Sequence, residues 1–276
     1  MREWLQSAEE AARRGGHVLR SWSRRITVRE KSQANLVTDA DMASQTTIHD
    51  FLRQRYPHHG FLGEEGLDQS GIHSELRWII DPLDGTTNYV HGFPYYAVSI
   101  ALQQGNELVV AAIYNPATDE MFLAARGCGA TLNRQPLRCS PISRLEQALV
   151  MASLPVVTSR ADLAVQRFLT VLEHAQSVQR TGSAALNLAY VAAGRIDGFF
   201  SSSLKPWDMA AGVLLVQEAG GRVTKMDGQP FQLEQSDLLA TNGTELHESL
   251  SAHLCQCRKE GPPHIDSTRK YEKMVG

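Results

Sequence analysis

No apolar run in this sequence approaches the roughly 20 residues that a membrane-spanning helix requires. The N-terminus, MREWLQSAEEAARRGGHVLRSW, also lacks the uninterrupted apolar core of a signal peptide. Trp4, Leu5, Ala8, Ala11, Ala12, Val18, Leu19 and Trp22 fall instead on helical spacing, which predicts a docked surface helix over 2–22. No membrane partner and a cytoplasmic location are expected. Excess positive charge is missing too: 27 Lys and Arg stand against 30 Asp and Glu, a formal charge of -3, so nucleic acid is not a favoured partner. Cysteine is scarce. Cys128, Cys139, Cys255 and Cys257 form no CxxC pair and no framework spacing, so they read as reduced thiols. Cys255-x-Cys257 could hold a soft metal, but no nearby His or Cys pair in the sequence completes a tetrahedral set. The ten histidines, His58-His59 among them, lack HExxH spacing and read as surface residues. Internal repeats are absent.

What is present is an ordinary globular balance, 42% hydrophobic and 21% charged, in 276 residues. That length suits one large domain or two modest ones sharing a site. After the first helix come an extended stretch (24–38), a helix (about 40–55), a Gly/Glu loop (60–66) and a buried strand at Trp78-Ile79-Ile80. The runs at 98–102, 108–114 and 120–124 are separated only by short turns such as Gly105-Asn106 and Asn115-Pro116. Those connections are too short for crossovers, which predicts an antiparallel meander. Beyond it, helices and strands alternate: helix 160–174, extended 176–181, a helix from Gly182-Ser183 and a strand at 197–200. A helix at Trp207-Asp208, strands 222–224 and 237–241 and a helix at 244–254 follow. The expected organisation is an N-terminal half (1–145) rich in antiparallel strands, an α/β half (146–257), and a flexible charged tail (258–276) around Pro262-Pro263.

The most informative segment is Trp78-Ile79-Ile80-Asp81-Pro82-Leu83-Asp84-Gly85-Thr86-Thr87-Asn88. A buried strand ends at an acid, Pro82 is expected to terminate it, and a second acid follows three positions after the first. Gly and two Thr then open a helix. Two carboxylates on such a turn can point at one spot, and hard oxygen ligands suit Mg²⁺ or Mn²⁺ rather than zinc. The unpaired backbone N–H groups of a helix start suit a phosphate. An isolated DxxDG is more often a plain turn. Here it is joined by Gly63-Glu64-Glu65-Gly66 upstream and by Trp207-Asp208 at a helix start downstream. Asp39-Ala40-Asp41 superficially matches the DxD of aspartyl-phosphate phosphatases. It does not end a buried apolar strand, and Met42 follows where that chemistry needs Thr or Val.

Taken together, Glu64-Glu65, Asp81-Pro82-Leu83-Asp84-Gly85-Thr86, and Trp207-Asp208 followed by Gly220-Gly221 resemble the signature of the lithium-sensitive phosphatase superfamily. The stretch from Trp78 to Asn88 with His91-Gly92-Phe93-Pro94 resembles the inositol monophosphatase branch. The similarity spans most of 1–255 and includes Lys31, the run from Leu36 to Asp41, and Gly182-Ser183-Ala184. It implies an α/β (α+β) layered sandwich with a mixed sheet in each half, helices between and outside, and the site in a cleft between the halves. It implies two or three Mg²⁺ ions, with Mn²⁺ as a substitute. Glu64, Asp81 and the Leu83 carbonyl would hold the first; Asp81, Asp84 and Asp208 the second; Glu64 would help hold a third. Thr86, oriented by Asp41, would position the attacking water, with Glu65 also in the catalytic group. The N–H groups of Gly85 and Thr86, with Thr87 beside them, would receive the phosphate, and Gly182-Ser183-Ala184 the alcohol. Arg180 either neutralises substrate charge or is a plain surface arginine.

The activity so implied is hydrolysis of a small phosphate monoester, of inositol 1-phosphate type or a related polyol or sugar phosphate, by a lithium-sensitive homodimer. Rival readings are a phosphatase of nucleotide, sugar-bisphosphate or histidinol-phosphate substrates, and a regulatory scaffold that binds a macromolecular partner. One position departs from the pattern. Seven residues before Asp208, where inositol-hydrolysing relatives carry a Glu that accepts from ring hydroxyls, this chain has Ser201.

Overall fold

The computed structural model describes residues 1–23, 28–32, 35–72 and 75–257, with backbone alone at 28–32 and 35–38. The tail 258–276 and the side chain of Lys31 lie outside the described residues. The elements in chain order begin with α1 (Arg2–Trp22), β1 (Val28–Ser32), β2 (Asn35–Thr38), α2 (Asp39–Arg55), β3 (Gly60–Gly63) and β4 (Asp68–Gln69). Then come β5 (Leu76–Asp84), α3 (Thr86–Val90), β6 (Ala97–Gln104), β7 (Glu107–Asn115), β8 (Glu120–Ala125), β9 (Ala130–Leu132) and β10 (Gln135–Pro136). The chain continues through β11 (Leu149–Ser153), α4 (Leu163–His174), β12 (Ser177–Gln179), α5 (Ala184–Ala192) and β13 (Gly198–Ser201). It closes with α6 (Pro206–Glu218), β14 (Arg222–Thr224), β15 (Leu238–Thr241) and α7 (Leu246–Gln256).

Period-two side-chain alternation explains how these elements stack. In β5, Trp78 and Ile80 enter one apolar cluster with Ala8, Ala11 and Leu19 of α1 and Ile48 and Leu52 of α2. Ile79, between them, enters a second cluster with α5 and α6. The second sheet repeats the pattern. Met151, Phe199, Leu238 and Ala240 face α5 and α6, while Val150, Ala152, Phe200 and Leu239 face Val171 of α4 and Leu246, Leu250 and Leu254 of α7. Three cores therefore separate five layers: α1 and α2, a first sheet, α5 and α6, a second sheet, and α4 and α7. This is the expected layered sandwich. Phe199 is wholly buried at the middle interface, where truncation to alanine typically costs about 3–5 kcal/mol. The two middle helices approach closely because α6 carries Gly212. A Cβ there would stand 2.3 Å from Leu188 of α5.

Both sheets are mixed. The first runs β10-β9-β8-β7-β6-β5-β3-β4, with β6, β7 and β8 as the expected meander and β3 parallel to β5. The second runs β12-β11-β13-β15-β14, with β11 parallel to both of its neighbours. Two expectations are corrected. Gly60–Gly63 is strand, not loop: its glycines obscured a short segment whose Phe61 packs beside Trp78 and Ile80. Pro82 does not terminate β5. Pairing with β6 resumes at Asp84 after an irregularity between Asp81 and Asp84, the kind of bulge that accommodates a residue with no N–H to give.

Candidate active site

The bulge in β5 is what aims the two acids. Asp81 is 1% and Asp84 9% exposed, and the Asp81 Oδ1 accepts the Leu83 N–H at 3.0 Å, closing the turn between them. The turn is fixed from behind by α2, whose polar residues Asp41, Ser44 and Gln45 are buried at i, i+3 and i+4, on one helical face. Ser44 Oγ donates to the Pro82 carbonyl at 3.1 Å. Gln45 holds the Glu64-Glu65 turn, donating to the Glu65 carbonyl at 3.2 Å and accepting its N–H at 3.3 Å. As a result Asp41, Glu64 and Glu65 each offer a carboxylate oxygen, all within 4.8 Å of one another. Ser44 and Gln45 had no assigned role in the sequence; the signal was polar residues sharing the face of Asp41.

Asp208 arrives from the other side of the cleft. It caps α6, accepting the Lys205 N–H at 2.7 Å, and its side chain also meets that of Asp81. Asp208 therefore caps its helix and faces the β5 acids at once. Asp84 is received by the N-terminus of α5: Ser183 Oγ donates to it, as do the N–H groups of Ala185 at 2.7 Å and Ala184 at 3.3 Å. Ser183 also caps α5 by accepting the Leu186 N–H at 3.3 Å.

Electrostatics ties these acids into one unit. Burial, followed by the charges of Glu64, Asp84, Asp208 and Asp41, raises Asp81 well above the ordinary carboxylate range. Burial and the neighbouring Asp84 and Glu64 push Asp208 to about 8. Asp84 rises only to about 6, because the Ser183, Ala185 and Ala184 donors oppose its burial. Mutually repelling, desolvated oxygens of this kind are the donor set of a hard divalent cation, which would let all of them ionise together. The residues present fit such an ion.

Beyond the acids, Gly85 takes φ +93° with the Tyr95 carbonyl 3.0 Å from where a Cβ would be, so this position needs glycine. Thr86 Oγ1 donates to the Leu83 carbonyl at 3.2 Å; that oxygen keeps a second lone pair for an ion. A cleft of about 450 Å³ is lined by Asp84, Thr87, Arg180, Gly182, Ala184 and Asp208, with Asn88, Ser153, Thr181 and Ser203 among the others. Arg180 is exposed at its edge. Asn88, which carried no role in the sequence, bridges the halves of the cleft by donating to the Tyr95 carbonyl at 2.7 Å and the Thr181 carbonyl at 2.8 Å. Ser201 is 1% exposed and does not line the cleft; its Oγ donates to the Ser153 carbonyl at 3.2 Å.

Comparison with known proteins agrees with this architecture. The inositol monophosphatase family profile matches residues 1–259. The chain is 39% identical over 246 residues to the Nus factor SuhB of Vibrio cholerae, covering 88% of this chain and 92% of that protein. It is 38% identical over 257 residues to an inositol-1-monophosphatase of Synechocystis sp., covering 92% and 89%. The crystal structure of the extragenic suppressor protein suhB from Bartonella henselae superposes with a TM-score of 0.87 at 38% identity, over 91% of this chain and 98% of that one.

Proposed function

The chain belongs to the inositol monophosphatase family, and on that premise we propose that it is a Mg²⁺-dependent phosphatase of small phosphate monoesters, of inositol 1-phosphate or a related polyol or sugar phosphate. The observation that carries this reading is the convergence of Asp41 of α2, Glu64 of the turn after β3, Asp81 and Asp84 of β5 and Asp208 of α6 into one electrostatically coupled group beside an open cleft.

In this reading Glu64, Asp81, Asp84, Asp208 and the Leu83 carbonyl hold the ions, and Mn²⁺ can replace Mg²⁺. The ions, when bound, supply charge neutralisation for the phosphoryl group and lower the pKa of bound water. The remaining work belongs to the chain. Thr86 and Asp41 orient the attacking water and take its proton, with Glu65 in the same acid group. The N–H groups at Gly85, Thr86 and Thr87 receive phosphate oxygens at the start of α3. Arg180 offers a positive charge at the cleft edge, and Gly182, Ser183 and Ala184 bound the alcohol side. Ser183 acts from behind, through Asp84. Lithium, a small cation able to occupy a weakly held carboxylate position, inhibits.

The protein works as a homodimer in this reading, supported by an exposed apolar face on α4. A phosphate-release screen across inositol, glycerol, nucleotide and histidinol phosphates, run beside Asp84→Asn, tests the proposal. We expect Mg²⁺-dependent release from at least one polyol phosphate and a loss of orders of magnitude in the folded variant. Near-wild-type turnover by Asp84→Asn would sink the site assignment.

A second reading, binding of a macromolecular partner, draws support from relatives named Nus factor SuhB. Pull-downs with wild type and Asp84→Asn separate it from catalysis, since a partner bound equally by both needs no turnover.

A further inference from the structure

The fold brings His174 beside His253 and Cys257, which already lie one turn apart in the sequence. His174 closes α4 and His253 stands one turn before the end of α7, and their rings meet with centroids 4.4 Å apart and planes at 53°. Each ring is anchored on its own helix. His174 Nδ1 lies 2.7 Å from the Thr170 carbonyl, and His253 Nδ1 lies 2.7 Å from the Ser249 carbonyl. A carbonyl can only accept, so each Nδ1 carries a proton, and in the neutral ring each Nε2 then keeps a lone pair. Neither Nε2 has a hydrogen-bond partner among the described residues. His174 is exposed and His253 partly so, which leaves each Nε2 open to water or to a cation between the rings.

A third donor stands close by. Cys257 follows His253 by four residues and so shares its face of the helix end, with Sγ 3.1 Å from Thr170 Oγ1. Thr170 thus touches the His174 ring through its carbonyl and the thiol through its hydroxyl. Both helices end here, so the negative ends of two helix dipoles meet at this point and favour positive charge.

We propose that His174, His253 and Cys257 form a second metal site, for Zn²⁺ or a similar borderline ion, which clamps the C-terminal ends of α4 and α7. Nitrogen and sulfur donors separate it chemically from the oxygen-only cleft, because they select zinc-like ions over Mg²⁺. The Nδ1–H to carbonyl bond is also the contact that orients metal-bound imidazoles elsewhere. The three donor atoms do not all lie within 4.8 Å of one another here. Two imidazoles on one tetrahedral ion put their centroids about 5 Å apart, so ion binding would open the rings and draw the thiol in. Cys257 reaches the ion by turning its Sγ away from Thr170, releasing the thiol proton to solvent, and water completes the set. The clamp would extend a link already present, the Arg167 Nε to Leu254 carbonyl bond at 3.1 Å.

Co²⁺ titration of the chelator-stripped full-length protein tests this, since a cobalt–thiolate bond has a charge-transfer band in the near ultraviolet. We expect one equivalent to produce that band and Zn²⁺ to abolish it. It persists in Asp84→Asn, Cys128→Ser and Cys255→Ser. It disappears in Cys257→Ser, and His174→Gln and His253→Gln each weaken Zn²⁺ binding by at least about a hundredfold. Added Zn²⁺ raises the melting temperature of wild type but not of His253→Gln. Circular dichroism verifies the fold of each variant, and Cys257→Ser, a small change at a helix end, serves if a histidine variant fails to fold. A folded wild type without the band, or a band that survives Cys257→Ser, would overturn the proposal.

Discussion

Asp84 is a buried carboxylate that three donors keep near its ionisable range, and the serine among them can be removed alone. Ser183→Ala deletes the hydroxyl while leaving the Ala184 and Ala185 N–H groups in place. A hydrogen bond to a charged group is worth about 1.5–3 kcal/mol, so Asp84 would hold its proton more tightly and yield it to a cation less readily. The Mg²⁺ concentration for half-maximal activity should rise roughly ten- to hundredfold, with turnover at saturating metal little changed. Ser183→Thr, which keeps the hydroxyl, should rescue it. An unchanged metal requirement in Ser183→Ala would contradict the positioning role. Ser201 makes the opposite kind of test. It is buried and bonded to the Ser153 carbonyl, so no carboxylate at this position meets a polyol ring. The kcat/KM for inositol 1-phosphate should therefore exceed that for glycerol 2-phosphate only weakly. Ser201→Glu would bury a carboxylate away from the cleft, so it should lower the melting temperature and leave that ratio unchanged. A strong wild-type preference for inositol 1-phosphate, or a folded Ser201→Glu that gains one, would refute the idea.

At the scale of elements, α7 is pinned to its sheet by one imidazole. His247 is 1% exposed, with Nε2 2.9 Å from Thr224 Oγ1 of β14 and Nδ1 2.8 Å from Thr241 Oγ1 of β15. Burial first, then the nearby Arg222, pushes its pKa down to about 4, against about 6.5 in an unfolded chain. Between those values the unfolded state binds more protons, so stability from this group is complete above the upper value. It is lost as pH falls toward the lower one, by at most about 3 kcal/mol. Urea unfolding of wild type and His247→Gln at pH 7 and pH 4.5 isolates it. The variant should be less stable at pH 7 and lose less on acidification; parallel losses would dismiss the effect. The sequence made the central strands and the alternating second half legible, because continuous apolar runs and short turns are local signals. It misjudged β3, where two glycines in four residues masked a strand stabilised by its parallel partner, and β5, where a bulge absorbs Pro82. The acids at 64–65, 81–84 and 208 were legible as a spaced pattern. Their supports Ser44, Gln45 and Asn88 were not, since a buried polar face is known only once the helix is docked.

Among the described residues, α4 carries an exposed apolar face on the outside of the layers. On α4, Val171 enters the core while Leu169 and Leu172 are 42% and 47% exposed. Val156 and Val157, in the segment before the helix, are 57% and 76% exposed. Val165 and Phe168, half-buried, continue the stripe at i, i+3, i+4 and i+7 with Leu169 and Leu172. Contiguous exposed apolar surface of this kind marks an interaction face, and a self-complementary face produces a two-fold dimer. Val156 also lines the cleft, so a partner seated there would border the substrate's entrance. Sedimentation of the wild type should then give about twice the 30.5 kDa chain mass. Leu169→Glu with Leu172→Glu should give the single-chain mass, because burying two unpaired carboxylates would cost several kcal/mol. Both changes lie on exposed positions, so circular dichroism and melting should remain close to wild type. A wild type that sediments as a monomer at tens of micromolar would remove the dimer from the functional reading, and a double variant that stays dimeric would move the interface to another face.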